Sequence, residues 1–264
     1  MKKIRKLIYV TAAVLCLNLL GGWTANTEQR YADAPTYSLY AVETVAFDKK
    51  ETDAKLNSSP QYAAINGMTN ACGAVAGAEI VAYYDKYYSE MIPDWQSYYP
   101  ASGKYRPQDK VYIPNLMNEF YSLMRINVNG AGVSDSNFLN GLTQYINGKG
   151  YSVSMQNVVS GTSIDYAACK AAINNNKAIA LLSHAVDVYK LTDGTTQDSI
   201  SSITISDLHI MVAFGYKEVK YYRGNNVFRT DRYLLASSGL SGVGTVYYKV
   251  NPHSLNYAYV VNIS

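Results

Sequence analysis

Two residues in this chain combine the chemistry and the setting of a nucleophile and its base. Cys72 stands in the run Asn70-Ala71-Cys72-Gly73-Ala74-Val75-Ala76-Gly77-Ala78-Glu79-Ile80, which reads as a helix beginning at the cysteine, with Thr69 and Asn70 as capping candidates. A thiol on a first helical turn lies against backbone N–H groups and the positive end of the helix dipole, and both favour the thiolate. The thiolate is the nucleophilic form, so this position suits covalent catalysis better than packing. Far downstream, His209 stands in Asp207-Leu208-His209-Ile210-Met211-Val212-Ala213-Phe214-Gly215-Tyr216, at the mouth of an apolar strand. A cysteine on a helix start and a histidine on a distant strand are the two halves of a Cys–His pair.

Other residues compete for these roles. His184 follows the apolar run ending at Ser183 and is the alternative histidine, while His253, beside Pro252, reads as exposed in a late turn. Cys169 lies in an alanine-rich amphipathic segment, 164–173, where a small core residue fits, and a Cys72–Cys169 disulfide is the structural alternative to a reactive Cys72. The chain has no His-Glu-x-x-His zinc motif, no phosphate-binding glycine loop and no Cys-x-x-Cys. Asp187, Asp193 and Asp198 lack the spacing of a calcium loop. The expectation is therefore no cofactor and no metal.

The elements that must position this pair are legible from periodicity and punctuation. Lys2, Lys3, Arg5 and Lys6 followed by an apolar run from Leu7 to Leu20 suit a secretory signal, taken as residues 1–26, and imply a secreted protein. That segment carries four basic residues and no acidic one, so its removal moves the formal net charge from +3 to −1. No basic surface then argues for nucleic acid, and no stable membrane span is expected after signal removal. Residues 27–60 are polar and loop-rich, apart from an alternating stretch near Tyr37–Phe47, and read either as a removable pro-segment or as part of the domain.

Residues 61–264 read as one domain: 48% of the whole chain is hydrophobic and 16% charged, enough for a sizeable core. The 26 tyrosines, many in doublets of no fixed period, read as amphipathic cover for sheet and helix. Helices are expected at Cys72–Tyr88, Pro114–Met124, Asp135–Asn147 (capped by Ser134 and stopped by Gly148) and Ile164–Asn174. Strands are expected at Tyr151–Val159, Ala178–Ser183, His209–Val219, Arg232–Ala236, Gly244–Val250 and Tyr257–Ile263, with Asp187–Ser206 as a loop or hairpin at a cleft rim. Helices first and strands second, with one reactive residue in each half, is an α+β layout with a cleft between two lobes.

Cys72-Gly73 on a helix start, a small-residue helix ending Ala82-Tyr83-Tyr84-Asp85, then a helix–strand unit and His209-x5-Gly215-Tyr216 resemble papain-like cysteine peptidases over most of residues 60–250. The nearest branch is the bacterial double-glycine peptidases that cleave bacteriocin leaders. The resemblance implies a papain-like two-lobed fold, an N-terminal helical lobe carrying the cysteine and a C-terminal antiparallel sheet lobe carrying the histidine. It implies a peptide or protein substrate, Cys72 as nucleophile through a thioester acyl-enzyme, and His209 as general acid and base.

Two positions depart from the family pattern. Asn66 stands where the family has an oxyanion-donating glutamine, with the same amide on a stem one carbon shorter. The stretch matching the family's orienting Asn or Asp is Leu235-Ala236-Ser237-Ser238-Gly239, where Ser237 or a backbone carbonyl is left to accept from the imidazole. The same scaffold serves amidases and transglutaminase-like acyl transferases, and without catalysis it would serve as an extracellular binding module.

Overall fold

Among the described residues, ten strands paired antiparallel form the sheet that carries His209. The computed structural model describes residues 30–31, 37–46, 48–55, 60–65, 67–88, 90–95, 98–99, 104–105, 111–130, 132–161, 163–192, 197–223, 225–250 and 255–264. The signal segment, Asn66 and His253 lie outside them.

The strands are β1 (Tyr37–Ala46), β2 (Asp48–Lys55), β3 (Val153–Asn157), β4 (Ile179–Ser183), β5 (Val186–Thr192), β6 (Gln197–Ile205), β7 (His209–Arg223), β8 (Asn226–Ser237), β9 (Thr245–Lys249) and β10 (Leu255–Ile263). Their order is β1-β6-β5-β9-β8-β7-β4-β10-β3, with β2 on β7. Among the described residues four α-helices accompany them: α1 (Cys72–Tyr84), α2 (Tyr112–Leu123), α3 (Asp135–Gly148) and α4 (Tyr166–Asn174). The chain is thus α+β with a large antiparallel sheet, as expected.

Residues 37–46 and 48–55 are part of that sheet. β1 pairs along β6 from Tyr37↔Ile205 to Ala46↔Gln197, and β2 pairs along β7 from Asp48↔Tyr222 to Lys55↔Gly215. The first strand was signalled by its alternation. The second, Asp-Lys-Lys-Glu-Thr-Asp-Ala-Lys, carries poor strand formers. It is a strand because β7 runs on beyond the short β4, leaving ladder groups between Gly215 and Tyr222 that β2 satisfies. Within the stretch Asp187–Ser206 the described residues pair antiparallel, β5 against β6, as in the hairpin alternative.

α1 has all thirteen of its residues buried, against α2 and α3 on one side and β7 on another. Its alanines and glycines permit this: a Cβ on Gly77 would lie 2.9 Å from Met124 Cε and 3.1 Å from the Phe120 ring. The helix ends at Tyr84, four residues before the expected Tyr88, because the Asp85 carboxylate accepts from Ile92 N–H at 2.8 Å and draws the chain into a turn. Its start also differs in detail. Neither Thr69 nor Asn70 caps it; Asn70 has φ +57° and donates to Asn127 Oδ1 at 2.9 Å, and the N-cap is Ala71, with no side-chain cap.

At the other end, Tyr84 O–H donates to Val261 O at 2.6 Å and Tyr88 O–H to Ile263 O, tying α1 to β10. These two tyrosines cover apolar surface and spend their hydroxyls on strand carbonyls. α3 begins as expected, with Ser134 Oγ accepting from Asn137 N–H at 3.2 Å. α4 is capped by Asp165, which accepts from Ala168 N–H at 3.0 Å. A second, smaller apolar cluster, Val219, Tyr221 and Tyr233 with Tyr189, Leu191 and Tyr247 around it, sits in the distal half of the sheet.

Candidate active site

Cys72, Val75 and Glu79 recur at spacings of three and four residues and therefore share one face of α1. The chain leaving β8 runs along that face. Ser237 Oγ donates to Glu79 Oε1, and one turn nearer the cysteine a Cβ on Gly239 would lie 3.5 Å from Val75 Cγ1. The same point is 3.9 Å from His209 Nε2. Continuing along the face from Glu79 through Val75 leads to Cys72, so His209 lies toward the Cys72 end of the helix. Gly239 has φ +69°, a left-handed conformation that lets the backbone turn here without a side chain between Val75 and the imidazole.

The imidazole has a defined partner. His209 Nε2 is 2.6 Å from Ser238 O. A carbonyl oxygen only accepts, so Nε2 is the donor of this bond and carries a proton. The acceptor is therefore the backbone carbonyl of Ser238, and Ser237 directs its hydroxyl elsewhere, to Glu79. The carbonyl is itself fixed: Ser238 N–H donates to Gly244 O at 3.1 Å, and Ser238 Oγ accepts from Leu240 N–H at 3.1 Å. Cys72, His209 and Ser238 have no exposed surface.

Opposite His209 in the ladder stands Ser183, wholly buried, its hydroxyl without a hydrogen-bond partner among the described residues. Directly paired residues share a sheet face, so Ser183 stands on the same face of the sheet as His209. The competing His184 is exposed in the turn after β4. No disulfide joins Cys72 and Cys169. Cys169 is a buried residue of α4, and burial pushes its thiol up to about 12, which keeps it protonated and inert.

Glu79 is the member of this cluster that sequence reasoning passed over. It is 1% exposed, and its Oε1 accepts from Tyr62 N–H at 2.8 Å as well as from Ser237. Burial pushes its carboxyl up to about 8, against the lowering effect of those two hydrogen bonds, so it is protonated at neutral pH. Its signal was a single acidic residue inside an otherwise small and apolar helix.

Among the described residues no group of three or more His, Cys, Asp or Glu is arranged to hold a metal ion, and no helix is long and apolar enough to cross a membrane. A cavity of about 400 Å³ opens at the far end of α1, between Tyr87, Tyr88, Asn176, Lys177 and Asn262. At 1.5 Å per residue it is roughly 18 Å along the helix from Cys72. No protein-family model, curated protein or solved structure matches this chain.

Proposed function

We propose that this protein is a secreted cysteine peptidase of papain-like architecture. α1 and its partner helices would form the lobe that carries Cys72, and the sheet would form the lobe that carries His209. The observation that carries the reading is the Nε2-to-Ser238 O hydrogen bond at 2.6 Å, which fixes the imidazole tautomer. With Nε2 protonated, Nδ1 is left to take the proton of a thiol and later return it to a leaving amine. Cys72, as the first residue of α1, supplies that thiol where the helix dipole favours its anion. The first turn has no side-chain cap, which leaves its field for a thiolate or for the oxyanion of a tetrahedral intermediate. Asn66, six residues before the nucleophile, is the proposed additional oxyanion donor. The basic and apolar start of the chain is the support for secretion.

In this reading the thiolate attacks a peptide carbonyl, the imidazolium protonates the departing amine, and water resolves the thioester. Cys72→Ala and His209→Ala each abolish peptide hydrolysis while leaving cooperative melting intact. Peptidase activity retained in either variant overturns the proposal. Mass spectrometry of the products, with water or an added amine as acceptor, separates hydrolysis from acyl transfer.

One observation favours a second reading. The complete burial of Cys72 and His209 suits a silent module that binds without catalysis. Alkylation of Cys72 by iodoacetamide separates the two. A thiol paired with imidazole labels quickly down to about pH 5, whereas an ordinary thiol loses reactivity below its pKa near about 8.5.

A further inference from the structure

We propose that Glu79 and Ser237 form a buried latch that positions His209 toward Cys72 by fixing the Ser238 carbonyl against α1. This inference rests on the Cys–His reading above. Three segments meet at the Glu79 carboxyl: the helix that carries Cys72, the strand end that precedes the histidine's acceptor, and Tyr62 in the stretch leading to the cysteine. Glu79 lies seven residues after Cys72, two turns along the same helix face, so the carboxyl and the thiol move as one rigid body. Ser237 and Ser238 are adjacent, so holding the hydroxyl of one limits the carbonyl direction of the next. The chain thus reaches from nucleophile to histidine through covalent bonds and two hydrogen bonds: Ser237 Oγ to Glu79, and His209 Nε2 to Ser238 O.

Every group in that connection is buried, with Ser237 2% and Glu79 1% exposed, so water does not compete for the bonds. The latch substitutes for an orienting side chain. A carboxamide or carboxylate on the neighbouring strand would accept from imidazole directly; here a backbone carbonyl accepts, and a buried serine–carboxyl pair holds the backbone. Glu79 and Ser237 are positioning residues, since neither is shown against the reacting groups. Glu79 acts only as an acceptor toward Tyr62 N–H and Ser237 Oγ, so a glutamine, which keeps a carbonyl oxygen there, preserves the latch.

The test uses the full chain and two readouts that a purely structural role would leave unmoved. One is the iodoacetamide labelling rate of Cys72 between pH 5 and 8; the other is the ¹⁵N chemical-shift signature of the His209 tautomer, assigned by its loss in His209→Ala. In Ser237→Ala, which deletes one hydroxyl and retains cooperative melting, labelling at pH 6 slows about tenfold, the scale of one hydrogen bond. The Nε2–H tautomer then gives way to a mixture. In Glu79→Gln both readouts stay within about twofold of the wild type.

Unchanged labelling and tautomer in Ser237→Ala overturn the latch, and so does a tenfold loss in a folded Glu79→Gln. Failure of the underlying reading looks different: His209→Ala then leaves wild-type labelling at pH 6 unaltered. If His209→Ala slows labelling and Ser237→Ala does not, only the latch falls.

Discussion

Glu79 and Asp231 are comparably buried, at 1% and 5% exposure, yet their surroundings differ in kind. Asp231 sits on β8 between two cations, with Arg229 Nη2 2.6 Å from Oδ2 and Lys249 Nζ 3.1 Å from Oδ1. Arg229 also lies over the Tyr221 ring, 4.4 Å from its centroid, so the ion cluster is built onto the small distal core. Glu79, in the main core beside Ser237, is held by two neutral donors. One site keeps a charge by neutralising it, and the other takes up a proton. A neutral carboxyl near the candidate active site adds no field of its own to Cys72 and His209, whereas an ion pair there would perturb both.

The largest expected effect breaks this comparison at Glu79 through pH. Its folded pKa of about 8 lies above the unfolded value near about 4.3, so between these limits the folded state holds a proton that the unfolded chain has released. The folded protein binds more protons, so unfolding free energy falls as pH rises through that window and levels off above it. The loss across that whole window is on the order of 5 kcal/mol from this one group. Urea denaturation of wild type and Glu79→Gln at pH 5 and pH 8 measures it as the difference in slope. Parallel slopes would show that Glu79 titrates as an exposed carboxyl and is not isolated as described.

The second effect breaks the other side. Asp231→Ala leaves Arg229 and Lys249 without their carboxylate and destabilises the fold by roughly 2–3 kcal/mol, moderated because both cations keep part of their surface in water. Chemical denaturation reads the loss. Cys72 labelling stays at the wild-type rate, because the cluster lies in the distal half of the sheet. A fall in labelling alongside stability would mean that the two regions are mechanically one, and the contrast drawn above would fail.

How much of this was legible in the sequence depends on how local each signal is. Ser134 starts α3 because a cap acts within one turn and could be read directly, whereas the helix runs one residue past the expected Asn147, through Gly148, to a C-cap at Lys149. Cys72 and His209 could be placed at element starts because polar residues just before each mark where the apolar run begins. The cap of α1 was misread because Asn70 finds Asn127 across 57 residues, and nothing near Asn70 announces that partner. β2 looked like a polar loop because its strand character comes from the free edge of β7 and not from its own residues. Glu79 was visible as an anomaly in an apolar helix, but its partner Ser237 is 158 residues away, and one sequence does not pair them. The histidine's acceptor was narrowed to Ser237 or a backbone carbonyl. Only the course of the Ser237–Gly239 backbone decides in favour of Ser238 O.

The smallest effect sharpens where the site's rigid surroundings end. Ser134 caps α3, and its neighbour Val133 reaches within 2.7 Å of where a Cβ on Gly73 would stand, directly after the candidate nucleophile. Ser134→Ala removes the acceptor for Asn137 N–H and costs about 1 kcal/mol, a lowering of the melting temperature by about 2–4 °C. The cap acts on α3's first turn, whereas the candidate nucleophile is held through α1 itself, so Cys72 labelling and the His209 tautomer stay unchanged. If labelling slows with the cap gone, the support of the cysteine extends through Val133 into α3, and the Glu79 latch is then one of two supports.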